Sequence, residues 1–178
     1  MIEKKHSRQS NSKFMNHLEF MQSEASKNMD FHLQNMDNLQ REANTTLTFL
    51  YVVISASFSG ALKLFLDGKF TNLAIALSGL CIYLAFLAIC LLFGCMMARS
   101  VKAPANEPKN LNIPKYTPEQ IQGFELYNLQ ERIEFNRDRN ARTAWRLNLV
   151  RVMVCASPLF FVATWGVICV LTALAHCG

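Results

Sequence analysis

Three runs of apolar residues, each about as long as a bilayer is thick, leave this chain few ways to fold. A helix needs about 20 apolar residues to cross a hydrocarbon core. Thr46–Leu66 holds one full charge, Lys63; Leu73–Ala98 holds none; Val152–Cys177 holds only the titratable His176. In a chain of 178 residues, too little amphipathic sequence remains to wrap three helices that are apolar all round. The runs predict an all-α membrane protein: three transmembrane helices, over 46–66, 73–98 and 152–176, with two long cytoplasmic helical extensions. Lys63 lies near the end of its run, where its stem can snorkel to the interface. Residues 1–30 contain no apolar stretch of the signal-peptide kind, so the first run is expected to direct insertion itself.

Basic residues set the orientation. Between Arg99 and Arg151 stand ten Lys or Arg against six Asp or Glu, so this loop is expected on the cytoplasmic side. The N-terminal region then lies in the cytoplasm too, while the "DGKFTN" turn and the C-terminal "HCG" lie outside. Lys63 and Lys69 pull weakly the other way.

A polar tail is expected over 1–13 and an amphipathic cytoplasmic helix over 14–45. Phe14, Leu18, Met21, Ala25, Met29, His32, Met36, Leu39 and Ala43 recur at steps of three or four, which is one helix face. No glycine or proline interrupts Phe14–Phe58, so this helix and the first span read as one rod. After the second span, 99–116 reads as a linker rich in proline and asparagine. Thr117, Pro118 and Gln120 form a helix start: a capping residue, a proline where its missing N–H costs nothing, and a partner for the capping box. A cytoplasmic helix is expected over 117–151, continuing into the third span, with a seam of Leu126, Leu129 and Ile133. Arg137 and Asn140 interrupt that seam, and a polar seam residue sets register or partner at a cost in stability.

Groups that could do chemistry do not converge. His6, His17, His32 and His176 are scattered, and Walker-type, GxSxG, HExxH and paired-aspartate motifs are missing from the sequence. Cys81, Cys90, Cys95, Cys155 and Cys169 sit in apolar runs without metal-ligand spacing and read as small hydrophobes. No enzyme, no cofactor site and no metal site are expected. Ser55/Ser59, Ala56/Gly60 and Ser57/Ala61 are each four apart, which lets two membrane helices approach closely. Ser55, Ala56, Ser59 and Gly60 are therefore candidates for helix packing or for lining a pore, and a homo-oligomer is expected. Pro158 removes a backbone bond and predicts a kink near Val154. Arg142, Arg146 and Arg151 form a basic cluster suited to anionic lipid heads, worth about 1 kcal/mol per residue. Nucleic acid is not an expected partner, because Trp145 alone offers a stacking ring beside these arginines and reads as an interface anchor.

"LQREANTTLT" before the first span, "ANEPKNL" in the linker, and "LYNLQERIEFNRDRN" followed by "SPLFF" carry a resemblance. The chain resembles small multi-span membrane proteins of proteobacterial prophages and antiphage defence loci, of the transmembrane effector type. That resemblance implies a bacterial inner-membrane protein, N-terminus cytoplasmic and C-terminus periplasmic, that perturbs the membrane on a cytoplasmic signal. The chain lacks a nucleotide-sensing domain, so a soluble cytoplasmic sensor protein would have to supply the trigger. Two alternatives stay open: a non-catalytic anchor or adaptor that holds a soluble partner through its cytoplasmic helices, and a holin-like lysis protein.

Overall fold

The structure is a computed structural model that describes residues 2–68, 71–97, 101–106 and 114–177, with side chains from 17 to 175 within those ranges. Lys69, most of the linker expected over 99–116, and the side chains of Phe14, His176 and Cys177 lie outside the described residues. Among the described residues every regular element is helical and there is no strand.

Helix α1 runs without interruption over Ile2–Leu66. The polar tail expected over 1–13 is helical from Ile2 onward, since no glycine or proline occurs before Gly60 to end it. It stops at Gly68, whose φ of 70° is a left-handed conformation that other residues adopt only with strain. Around that stop the N–H of Asp67 donates to the Lys63 carbonyl (3.0 Å) and that of Gly68 to the Phe65 carbonyl (3.1 Å). Helix α2, Asn72–Leu91, starts at Thr71, whose hydroxyl accepts the Ala74 N–H at 3.4 Å. It ends in a π-helical turn, Leu92–Met96. Helix α3 covers Pro118–Cys155 and α4 covers Ser157–Cys177. At the start of α3, Gln120 N–H donates to Thr117 Oγ1 (3.3 Å) while Thr117 N–H donates to Gln120 Oε1 (3.0 Å), a reciprocal cap.

The break between α3 and α4 falls at Ala156, two residues before Pro158. Proline has no N–H to give the Val154 carbonyl and its ring crowds that turn. Hydrogen bonds resume on either side, from Ala156 N–H to Val152 O (3.0 Å) and from Phe160 N–H to Ala156 O (3.1 Å). Three helices are long and apolar enough to cross a membrane, within His17–Leu66, Asn72–Met96 and Ser157–Ala175.

The chain divides into two compact units. One, here the polar unit, comprises Met1–Asn38 and Arg99–Ala141; the other, the apolar unit, comprises Leu39–Ala98 and Arg142–Gly178. In the apolar unit Leu50, Leu84, Leu87, Leu91 and Leu147 are fully buried around Ala43, Ala88 and Val150. There α2 and α4 run antiparallel. Asn72 Nδ2 donates to Thr172 Oγ1 at 3.0 Å, and further along the Tyr83 ring stacks on Phe160 at 4.4 Å. The Tyr83 hydroxyl donates to the Met153 carbonyl (3.0 Å), just before the break.

Candidate interaction surfaces

Within the polar unit α1 and α3 lie side by side and parallel, because partners on both advance together. Gln122 Nε2 donates to Gln22 Oε1 at 3.0 Å, and eighteen residues further along α3 Asn140 Nδ2 donates to the His32 carbonyl at 2.7 Å. On α3 the seam is Leu126, Leu129, Ile133, Asn136 and Asn140, which advances alternately by three and four as in a two-helix coil. Its apolar layer is small: Met29, Leu129 and Ile133, flanked by Ala25 and Leu33.

Around that layer the seam is polar. Asn136 is 3% exposed and Asn140 5%. Asn136 Nδ2 lies 3.4 Å from Met29 Sδ and 3.3 Å from the Lys102 carbonyl, and Arg139 Nη1 lies 3.4 Å from Met36 Sδ. Thioether sulfur is a weak acceptor. Asn136 Oδ1, His32 Nδ1 and Arg132 Nη1 are buried without a hydrogen-bond partner. Arg137, expected in the seam, is instead exposed and lies 3.5 Å from Asp138, and Asn136 holds the seam position. Continuing the alternation from Ile133 by three rather than four identifies it.

Residues 101–106 cross α3 beside Asn136. Lys102 Nζ bonds Glu131 at 2.6 Å and lies 5.1 Å from the Phe135 ring centroid, while Asn106 Nδ2 donates to Glu125 at 2.6 Å. The hydrogen bond from Lys102, and then its charge, hold the Glu131 carboxyl below the ordinary glutamate range. Glu119 is lowered as well, first by its own backbone N–H and second by the Thr117 hydroxyl. A carboxyl whose value is depressed by folding stabilises the fold above its unfolded value, ~4.3, and loses that contribution as pH falls through the depressed one. The Lys102 contact is therefore expected at neutral pH and released on acidification. A carbon-detected NMR titration checks this: Glu131 should titrate below the ordinary range in the native protein and return to it in Lys102→Ala. An identical midpoint in both would refute the contact.

Beside the seam opens a groove of about 840 Å³ lined by Phe20, Met21, Ala25, Gly123, Leu126 and Tyr127, with Glu24 and Lys27 among its other lining residues. Phe20 is 63% exposed and Tyr127 73%. Both rings are larger than anything in the unit's own core.

The apolar unit places the other candidates. Ser57 and Ala61 are buried and Gly60 partly so, with Leu77 against Gly60, while Ser55, Ala56 and Ser59 are exposed on the opposite side of α1. The three overlapping pairs cover the helix circumference, so sequence spacing alone could not say which faces inward. Two arginines of the basic cluster are engaged inside this unit. Arg146 Nη1 donates to the Gly94 carbonyl in the π-helical turn at 3.3 Å, where a cation suits the negative helix end. Arg151 bonds Glu42 at 2.8 Å and Thr46 at 3.4 Å. Arg142 is exposed. Among the described residues no group of His, Cys, Asp or Glu is placed to hold a metal ion. No protein-family model, no curated protein and no solved structure matches the chain. Its function has to be argued from these surfaces.

Proposed function

We propose that the chain is a homo-oligomeric effector of a bacterial inner membrane, of the antiphage or prophage-exclusion type. Its three apolar helices cross the bilayer, with the N-terminus and the 99–151 segment in the cytoplasm. A cytoplasmic signal acts on the polar unit, and the response is a repacking of the spans that perturbs the membrane. Helices α1 and α3 each contribute to both units, so they are the elements that carry the response. The resemblance to transmembrane effectors supports this reading.

The observation that carries it is the outward face of α1. Ser55, Ala56 and Ser59 face away from the chain's own core. In lipid a hydroxyl pointing outward has nothing to bond, whereas between two closely packed helices it is worth about 0.6 kcal/mol. Small side chains there let a second α1 approach.

The test is overproduction in bacterial cells with a potential-sensitive dye, with and without co-expressed candidate sensors. The native chain is expected to depolarise the membrane. The doubly substituted Ser55→Leu/Ser59→Leu chain should reach the membrane fraction at the same level yet leave the potential intact. A potential unchanged by the native chain under every condition would leave an anchor for a soluble partner as the function.

A further inference from the structure

We infer that the groove on the polar unit is a self-association surface, filled by the same groove of a second copy. The inference rests on the homo-oligomeric reading above and adds the water-side contact to it. Three observations carry it.

The first is area. The polar unit buries only Met29, Leu129 and Ile133 in its seam layer and leaves Phe20 and Tyr127 largely exposed. Aromatic side chains bury 150–250 Å² each, so these two rings offer on the order of 250 Å² per copy. A stable standard interface removes about 800 Å² per partner. The groove alone therefore gives a weak contact. It becomes effective between copies already held in one membrane, where the effective concentration reaches the millimolar range.

The second is shape. At Gly123 an added Cβ would meet nothing within 4 Å, so a gap opens in the groove wall. Side chains of the size to enter it, Phe20 and Tyr127, belong to the same surface. A surface that carries both gap and protrusion is self-complementary, as a two-fold contact requires.

The third is charge. Glu24 and Lys27 are the charged lining residues, and they bond each other at 2.6 Å. The surface is neutral and selects neither an acidic nor a basic partner. Two copies meet on it without repulsion, and a two-fold arrangement lets each Glu24 face the other copy's Lys27.

Disulfide cross-linking of the full-length protein in membrane vesicles tests the inference. Tyr127→Cys is expected to give a linked dimer at least tenfold more than Arg137→Cys, which is exposed elsewhere on α3. Adding Gly123→Leu should cut that cross-linking at least tenfold. Because the site is open, the leucine should not lower helix content or the thermal midpoint. Equal cross-linking from Tyr127→Cys and Arg137→Cys, no effect of Gly123→Leu, or a different protein found cross-linked to Tyr127→Cys would each overturn the inference. Cross-linking that survives in a chain that never depolarises membranes would uphold it while removing the effector reading.

Discussion

Replacing Asn136 by leucine is expected to stabilise the polar unit by about 1–3 kcal/mol. The side chain is 3% exposed, its Oδ1 has no partner, and its Nδ2 reaches only a thioether and the Lys102 carbonyl. Leucine removes the orphaned acceptor and enlarges the layer formed by Met29, Leu129 and Ile133. The Lys102 carbonyl loses one donor, but Lys102 is partly exposed and water can replace it. Thermal unfolding of the full-length protein in micelles, followed by circular dichroism, should show a rise of several degrees, at roughly 4–8 °C per kcal/mol for a unit of this size. Asn140→Leu should gain less, since Asn140 already donates a 2.7 Å bond to His32. A lowered midpoint in Asn136→Leu would mean that the amide holds the register of the pair. Under the effector reading the same substitution is expected to blunt the response, because a seam short of bonding partners repacks more readily than a satisfied one.

The second large effect separates the two units by their solvent. Ile133→Ala in the polar unit is expected to cost about 2–4 kcal/mol, combining lost transfer from water with the cavity left behind. Leu84→Ala in the apolar unit removes a side chain that is equally buried. Surrounded by lipid, however, it gains nothing from leaving water, and only lost packing remains. At about 24 cal/mol per Å³ of cavity, that is roughly 1–2 kcal/mol. The order of the two losses is what matters, measured by denaturation in mixed micelles. A Leu84→Ala loss equal to or above that of Ile133→Ala would mean that α2 is packed against water, and the membrane-spanning reading would fail with it.

The long apolar runs and the stops between helices were readable because each has a local cause. Charge ends the runs, Gly68 ends α1, Thr117 opens α3 and Pro158 interrupts the third run at Ala156. The α3 seam was readable as far as Ile133, where hydrophobicity marks it. Beyond that point Asn136 and Arg137 are both polar, and composition does not distinguish the buried one from the exposed one. The groove was not legible at all. Phe20 and Tyr127 are a hundred residues apart in the chain, and only the parallel pairing of α1 with α3 places them on one surface. The same holds for Arg146 and Arg151, whose acceptors Gly94 and Glu42 come from other helices.

Tyr83 gives the apolar unit a mechanical bias. Its hydroxyl holds the Met153 carbonyl and its ring holds Phe160, while Asn72 clips the far end of the same pair to Thr172. Fastened at both ends, α2 and α4 are a plank rather than two rods. Between α1 and that plank the polar link is Cys81 Sγ to the Ile54 carbonyl at 4.0 Å, a contact too soft to act as a bolt. Whatever slides when this unit rearranges, it is α1 that glides along a stationary rail.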